Sequence, residues 1–239
     1  MMLGKEGYRR LTSARVAVFG IGGVGGYAVE ALARAGVGAI DLIDSDKVSE
    51  SNLNRQIIAT KKTLGQYKTE AARDRILSIN PDCKVLCHSV FFSEESSSQF
   101  DFGEYDYVID AIDSVKQKIE LIRRATEAGV KIISAMGAGN KLDPTRFRVA
   151  DISKTSVCPL AKAVRLGLRK IGINHLKVVY SDEPPFRSLT EGDEVTFDKD
   201  ISEEQKKYAQ RRSPGSISFV PSVMGLILGG EVIRDIAGL

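Results

Sequence analysis

Short apolar runs alternate with segments of helical periodicity through the first 140 residues of the chain. The apolar runs predict buried strands at 15–19, 39–44, 83–92, 105–113 and 130–137. The connecting segments predict helices over 23–35, 65–81 and 115–128, and Asn80 and Pro81 end the second of these. A strict alternation of strands and helices predicts a mostly parallel sheet with helices on both faces, an α/β fold of the Rossmann-like type.

The second part of the chain predicts a smaller extension of that core. Apolar runs predict strands at 147–152 and 176–181, and a basic segment over 158–171 predicts a short helix. The closing segment, 222–238, predicts a helix in which Gly225, Gly229 and Gly230 pack closely against another backbone. Residues 181–213 are polar, and loops of this length in compact domains are usually functional, so we predict a mobile loop over a site there. We therefore predict one domain over 1–239, composed of a nucleotide-binding core at 15–140 and a C-terminal extension at 141–239.

Composition and charge narrow the class of protein only slightly. The 239 residues are 43% hydrophobic and 27% charged, and the net charge of +3 permits a nucleic-acid partner without arguing for one. The opening "MMLGKEGYRRL" has no apolar core of a signal peptide, and three cysteines make no even disulfide framework. The longest apolar run, about 14 residues with a proline, is short for a bilayer, so we expect no stable membrane insertion and a cytoplasmic location.

A glycine-rich turn, GIGGVG, joins the first predicted strand to the first predicted helix. Glycine suits positions where the backbone turns with positive φ or approaches a phosphate, and the helix start adds free N–H groups. The acid at the end of the second strand, Asp44, can accept hydrogen bonds from a ribose. These features fit NAD, FAD and ATP alike. The candidate phosphate-binding glycines are Gly20, Gly22, Gly23 and Gly25.

The segment after Asp44 favours a triphosphate. Arg55, Lys68 and the amide of Asn52 supply a cationic cluster that would stabilise charge on a leaving pyrophosphate. Asp113 ends the fourth predicted strand at the same sheet edge, where a carboxylate suits Mg²⁺ bound to phosphates. His88 is predicted to be structural and His175 to be an inert loop residue, which leaves an NAD-dependent dehydrogenase as a distant alternative.

Four motifs within 15–140 resemble the superfamily of ubiquitin-activating-enzyme-like adenylyltransferases: GIGGVGG, LIDSDKVSESNLNRQ, GQYKTEAARDRILSINP and VIDAIDS. The resemblance implies adenylation of a carboxylate by ATP, with release of pyrophosphate. It implies that Gly22 and Asp44 contact the nucleotide, that Asn52, Arg55 and Lys68 bind phosphates, and that Asp113 lies by the metal. The remaining nucleotide-binding candidates in these motifs are Asp46, Ser51 and Ser114; the catalytic candidates are Arg55, Lys68 and Asp113.

The second half resembles the tRNA threonylcarbamoyladenosine dehydratase branch of this superfamily. The segments that carry this resemblance are IDAIDSVKQK, GAGNKLDPTRFRVADISKTSVCPLAKAVRLGLRK and GSISFVPSVMGLILG. The chain lacks the two CxxC pairs of sulfur-carrier activators, its 181–213 segment has no cysteine, and Cys158 is predicted to be buried and inert. The branch implies a tRNA substrate, whose threonyl carboxylate is adenylated and then attacked by the neighbouring ureido group, and a homodimer.

Two alternatives stay open beside this interpretation. The first is an adenylyltransferase that activates the C-terminal glycine of a ubiquitin-like sulfur carrier, and the second is a nucleotide-binding interaction module without turnover. Members of the branch place an arginine before the first strand that reaches the partner subunit's phosphates; here only Arg9 and Arg10 precede Arg15. Two basic groups are candidate tRNA contacts: Lys162, Arg165 and Arg169 on the predicted helix, and Lys206, Lys207, Arg211 and Arg212.

Overall fold

The structure, a computed structural model, describes residues 2–185 and 215–239. Seven strands form one sheet in the order β3-β2-β1-β4-β5-β7-β6, parallel throughout except that β6 runs antiparallel to β7. The strands are β1 (Arg15–Phe19), β2 (Ala39–Ile43), β3 (Lys84–His88), β4 (Tyr107–Asp110), β5 (Lys131–Ala135), β6 (Phe147–Asp151) and β7 (Lys177–Ser181). The predicted α/β class, with a mostly parallel sheet and a C-terminal extension, is confirmed.

The helices that connect the strands lie where the periodicity predicts them. They are α2 (Gly25–Ala35), α3 (Lys68–Ile79), α4 (Val115–Glu127), α5 (Pro159–Lys170) and the closing α6 (Phe219–Ala237). An additional helix, α1 (Gly4–Ser13), precedes β1 and was not predicted. Its sequence buries only Gly7 and Leu11, so its apolar face is too narrow to give a periodic signal, and the helix depends on packing against the end of α6.

Two predicted strands end three or four residues before their apolar runs do. The run at 83–92 pairs only as far as His88, after which Phe91 is exposed and Phe92 turns into the core. The run at 105–113 ends at Asp110, whose carboxylate accepts a hydrogen bond from the backbone N–H of Ile112 and bends the chain out of the sheet. Ser181, the first residue of the predicted loop at 181–213, still belongs to β7. Its residues from 186 onward, including Lys206, Lys207, Arg211 and Arg212, lie outside the described residues.

Alternate residues of β1 serve two apolar layers on opposite faces of the sheet. Val16 and Val18 face α2 and α6, whereas Ala17 and Phe19 face a second cluster. That second cluster is completed by Leu121 of α4 and by aromatic residues from the β3–β4 connection: Phe92, Phe100, Phe102 and Tyr105. Burial on both faces explains the uninterrupted apolar letters of the central strands.

The closing helix crosses α2 at backbone contact distance, as its glycines predict. A Cβ added to Gly225 would lie 2.2 Å from the carbonyl oxygen of Val24, and one added to Gly229 would lie 2.7 Å from Cβ of Ala31. Gly230 does not share this role, and the prediction for it was wrong, because an added Cβ there meets open space. Within residues 2–185 and 215–239, no helix combines the length and the hydropathy that crossing a membrane requires.

Candidate functional site

The strand order places a crevice at the carboxyl end of the sheet. The neighbours of β1 are β2 and β4, so the connections from β1 and β4 leave towards opposite sides. Open parallel sheets bind ligands at such a switch point, outside the carboxyl ends of the strands. The glycine turn, Asp44 and the segment 111–113 each follow one of these three strand ends.

The glycine turn follows β1 and cannot accommodate side chains at its two ends. Gly20 has a φ of +90°, and a Cβ there would lie 2.7 Å from the carbonyl oxygen of Ala111. A Cβ on Gly25 would lie 1.8 Å from the carbonyl oxygen of Gly20. The turn is therefore closed on itself and packed against the chain that leaves β4, which sets the relative position of these two segments.

The start of α2 presents unused backbone donors into the crevice. The N–H of Ile21 donates to Asp44, and that of Gly26 donates to the carbonyl of Gly22. Between them, the N–H groups at positions 22–25 donate to no acceptor among the described residues. Four successive free donors at the positive end of a helix form a binding site suited to phosphate.

Asp44 and Lys68 form a buried ion pair against this turn. The Asp44 carboxylate accepts hydrogen bonds from the N–H groups of Ile21 and Asp46, at 2.7 and 2.8 Å. The Nζ of Lys68 lies 3.8 Å from Asp44 and 2.7 Å from the exposed carboxylate of Asp46. Burial raises the pKa of Asp44 above its ordinary value, and the charge of Lys68 and the two N–H donors only partly offset that effect.

The segment after β2 brings Arg55 across the glycine turn. Asn52 is buried, and its side chain caps the short helix Glu50–Asn52 by accepting from the N–H of Ser49. Arg55 donates to the Ser51 carbonyl and to the Asn54 side chain, and its Cγ would lie 3.2 Å from a Cβ on Gly23. The guanidinium therefore belongs to the same crevice as the free N–H groups.

Gln56 is a site residue that the sequence analysis missed. Its side chain is buried beside Gly22, and its Oε1 has no hydrogen-bond partner among the described residues. Buried polar atoms without partners are rare in proteins and need an explanation. A ligand donor at this position would supply the missing hydrogen bond. In the sequence, the only signal was its position directly after Arg55.

The remaining predicted residues lie at the rim. Asp113 is exposed, one residue beyond the contact that the Ala111–Ile112 peptide makes with Gly20, and Ser114 hydrogen-bonds the side chain of Gln117. Ser51 is exposed and hydrogen-bonds the hydroxyl of Ser49. No cluster of three or more potential metal-binding side chains occurs in the described part of the chain, so a metal here would need oxygen ligands from the nucleotide.

The C-terminal segment closes one side of the crevice, which the sequence also did not predict. Ser216 accepts a hydrogen bond from Asn54, and Gly215 exchanges two hydrogen bonds with Asn140. Further along, Pro221 would contact a Cβ on Gly23 at 3.4 Å. The start of α6 thus covers the glycine turn, although it is some 200 residues away in sequence.

The histidines and cysteines lie away from this chemistry. His88 hydrogen-bonds the fully buried Asp41, which also binds Arg15 through two nitrogens. Cys158 is buried in the α5 core, and burial raises the pKa of the Cys83 thiol to about 11. The predicted structural role of His88 agrees with these contacts, and none of these groups enters the crevice.

A separate cleft of about 650 Å³ opens at the opposite, amino-terminal edge of the sheet. Several of the charged side chains that line it are already paired: Arg9 and Arg10 bind Glu6, and Asp235 binds Lys177 and the hydroxyl of Tyr107. The cleft is also remote from the strand ends that carry the glycine turn. We therefore place the functional site at the carboxyl edge.

Comparison with known proteins identifies relatives along nearly the whole chain. The model of the ThiF family matches residues 1–239. A tRNA threonylcarbamoyladenosine dehydratase of Bacillus subtilis (strain 168) is 46% identical over 239 residues, covering 99% of this chain and 92% of that protein. Crystal structures of the E. coli tRNA N6-threonylcarbamoyladenosine dehydratase, in complex with AMP and with ATP, superpose with TM-scores of 0.85 and 0.84 at 32% and 31% identity. Each superposition covers 99% of this chain and 91% of the other.

Proposed function

Because the chain belongs to the ThiF family, we propose that it uses ATP to activate a carboxylate, and that this carboxylate belongs to threonylcarbamoyladenosine in tRNA. The observation that carries the proposal is the similarity to a dehydratase of this name along nearly the whole of both chains. The E. coli relative of the same name has been crystallised with ATP and with AMP, the substrate and product nucleotides of an adenylation.

The crevice offers contacts for the phosphates and the ribose of ATP. The free N–H groups at positions 22–25 bind the phosphates, and the carboxylate of Asp44 accepts from the ribose hydroxyls. Arg55 and Lys68 stabilise the charge that builds on the leaving pyrophosphate. The unpartnered Oε1 of Gln56 supports the presence of a ligand with a hydrogen-bond donor beside Gly22.

Lys68 must exchange partners to reach a phosphate. Its Nζ is held by Asp46, whose side chain is 66% exposed, and more loosely by Asp44. The triphosphate competes well with an exposed carboxylate because it carries more total charge and lies within the low-dielectric crevice. Asp46 then acts as the resting partner of Lys68, and Asp44 keeps the ammonium at the glycine turn.

Asp113 is the residue that would hold Mg²⁺. One carboxylate together with nucleotide phosphates is a common ligand set for this ion, and the exposed position of Asp113 at the crevice rim fits that arrangement. The ion would supply charge neutralisation on the phosphates. Ser114 and Ser51 offer hydroxyls at the same rim.

The reaction proceeds in two steps on the substrate. The threonyl carboxylate attacks the α-phosphate of ATP, which forms an acyl adenylate and releases pyrophosphate. The ureido group of the same modified adenosine then attacks the activated carbonyl, a ring closes and AMP leaves, so that the tRNA loses one water overall. Because the nucleophile is intramolecular, the protein need only orient the two groups, and no cysteine is required.

The chain works as a homodimer in the cytoplasm. Two large apolar side chains on the outer face of α6, Phe219 and Leu226, are nearly half exposed, and the open space beside Gly230 continues that face. A second copy is the simplest partner that would bury it. Arg9 and Arg10 on α1 pair with the exposed Glu6 and are the candidates for an arginine that reaches the partner subunit's phosphates, since Arg15 is held by the buried Asp41.

A sulfur-carrier activator is the second candidate. The superfamily motifs of residues 15–140 favour it equally, because both reactions begin with an acyl adenylate. Its partner would be a ubiquitin-like protein that ends in Gly-Gly. Pyrophosphate exchange that depends on such a carrier, and not on tRNA, would support this candidate over the dehydratase.

The deciding experiment incubates the protein with ATP, Mg²⁺ and tRNA that carries threonylcarbamoyladenosine, followed by nucleoside mass spectrometry. We expect a nucleoside lighter by one water, with AMP formed in equal amount. The control is the same tRNA without the modification, which should give no AMP. Bound ATP with no mass change on the modified tRNA would overturn the proposal.

A further inference from the structure

The outer face of α5 carries a basic stripe that Leu166 interrupts. Lys162, Leu166, Arg169 and Lys170 recur at helical spacing, and all four are exposed. The surrounding sequence, 152–181, contains no aspartate or glutamate. A helix of 12 residues is about 18 Å long, so the stripe presents positive charge along an extended line rather than at a point.

The charges of this stripe are not neutralised by neighbours. Lys162, Arg169 and Lys170 form no ion pair with any acid among residues 2–185 and 215–239. The adjacent helix α4 differs, because Arg123 and Arg124 there are bound to glutamates of their own helix. An exposed helix with unpaired cations and no acid attracts a polyanion.

Arg165 does not belong to the stripe, although the sequence grouped it with Lys162 and Arg169. Its guanidinium turns inward and donates to the carbonyl and hydroxyl of Thr155, at 3.1 and 2.5 Å. It therefore holds the turn before α5, and it is less available to phosphates than its exposed neighbours. The exposed cations beside it are left as the binding groups.

The helix begins at the edge of the sheet that carries the nucleotide crevice. Cys158 precedes α5 and lies beside Gly137, just beyond the carboxyl end of β5. A Cβ added to Gly137 would lie 3.4 Å from the Sγ of Cys158. Strand β5 pairs directly with β4, whose carboxyl end leads to Asp113. The basic stripe thus runs away from the reaction site, starting two strand positions from the glycine turn.

We propose that the outer face of α5, through Lys162, Arg169 and Lys170, binds the phosphodiester backbone of the tRNA whose modified adenosine occupies the crevice. The proposal rests on the proposed function. Phosphate contacts orient a nucleic acid without reading its sequence, and flexible lysines suit them. A protein partner fits less well. Leu166 is the only large apolar side chain on this face of α5, and its area is too small to form the apolar centre of a protein interface.

The test compares two variants of equal charge change in the full-length protein. The first, K162E/R169E/K170E, reverses the stripe. The second, K5E/K84E/K131E, reverses three exposed lysines at the amino-terminal side of the sheet, so it controls for net charge. Binding of fluorescently labelled, threonylcarbamoyladenosine-containing tRNA is measured by anisotropy at several salt concentrations, and ATP binding is measured separately.

We expect the stripe variant to bind tRNA more weakly by at least about tenfold, with a slope of log K against log salt shallower by about 2 units, since each lost contact removes roughly 0.7–0.9. ATP affinity should be unchanged, and the control variant should keep the wild-type slope. Equally weakened tRNA binding in both variants would show that the effect comes from net charge, and would overturn the proposal. An unchanged slope in the stripe variant would also overturn it.

Failure of this inference is distinguishable from failure of the proposed function. If the wild-type protein removes water from the modified tRNA and the stripe variant binds tRNA normally, only the docking surface is wrong. If the wild-type protein binds tRNA through the stripe but produces no AMP, the docking surface stands and the dehydratase activity falls. Binding of a tRNA without the modification, measured in the same assay, tests the docking surface independently of the dehydratase reaction.

Discussion

The ammonium of Lys118 lies 2.9 Å from Oδ2 of Asp110, and neither side chain is reached by solvent. Asp110 is the last residue of β4 and Lys118 lies on α4, so the pair ties the helix to the strand beneath it. The other carboxylate oxygen accepts from the N–H of Ile112, which fixes the segment that packs against Gly20 and leads to Asp113. A fully buried ion pair thus supports the geometry of the nucleotide crevice.

Replacing Lys118 with methionine should destabilise the protein by about 3–5 kcal/mol, because the Asp110 carboxylate is left buried without a cation. Chemical denaturation of the variant and of the wild type measures the difference. The double variant D110N/K118M is the matched control, since it removes both charges. We expect it to be more stable than K118M alone, and a further loss of stability in the double variant would contradict the role assigned to the pair.

Two glycines of α6 should respond oppositely to alanine. Gly225→Ala drives a methyl group into the carbonyl of Val24 and should cost about 1–3 kcal/mol through overpacking. Gly230→Ala meets no atom of its own chain within 4 Å and should stabilise the helix by about 0.5–1 kcal/mol. Thermal unfolding of both variants tests the contact, and equal shifts in the same direction would show that the helix does not pack on α2 as described.

The sequence predicted the central sheet well because its strands are buried on both faces and its helices have clear apolar periodicity. It missed α1, whose contact with the core is limited to Gly7 and Leu11. It also extended β4 to Asp113, because a buried strand and the apolar letters after it look alike until a hydrogen bond such as that from Ile112 to Asp110 bends the chain.

The sequence predicted only part of the candidate site, for a related reason. Gly20, Gly25, Asp44 and Lys68 stand in local motifs whose spacing reflects the turn, and the structure brings them together. Gln56 was missed because its significance lies in an unpartnered buried atom, and the covering by Ser216 and Pro221 depends on a contact between distant parts of the chain. Neither property can be predicted from a short stretch of the sequence.

Removing either cation of the crevice should slow adenylation strongly. Arg55→Ala and Lys68→Ala each remove charge stabilisation from the leaving pyrophosphate, so AMP formation should fall by about 10²–10³-fold. The exposed neighbour Lys62, changed to alanine, is the matched control and should keep the wild-type rate. AMP is measured by chromatography with ATP at saturation; wild-type rates in both variants would remove these residues from the phosphate site.

Asp44 should make the ligand-free protein less stable as pH rises. Burial raises its pKa above the ordinary value of 3.8, so the native state binds more protons than the unfolded state between those two values. Stability attributable to this group therefore falls with rising pH through that window and stays lower above it. Asparagine does not titrate, so the melting temperature of Asp44→Asn minus that of the wild type should increase from acidic to neutral pH. A difference independent of pH would mean that the carboxylate is not destabilised by burial.

Asp113 should set the dependence of the reaction on Mg²⁺. Asp113→Asn weakens a carboxylate ligand while keeping the side-chain shape, so the Mg²⁺ concentration for half-maximal AMP formation should rise by at least about tenfold. The exposed Asp82, beside the amino-terminal end of β3, gives the control variant Asp82→Asn, whose Mg²⁺ dependence should match the wild type.

The shape of the titration for Asp113→Asn separates two roles. If high Mg²⁺ restores the wild-type rate, the lost group was a metal ligand. If the maximal rate falls and the half-maximal Mg²⁺ concentration stays the same, Asp113 instead acts on the reacting groups, and the ion is held by the nucleotide alone. Asp113 lies one residue beyond the segment that Asp110 fixes. If the position of the Asp113 carboxylate matters as well as its charge, an Asp110→Asn variant should shift the Mg²⁺ dependence in the same direction.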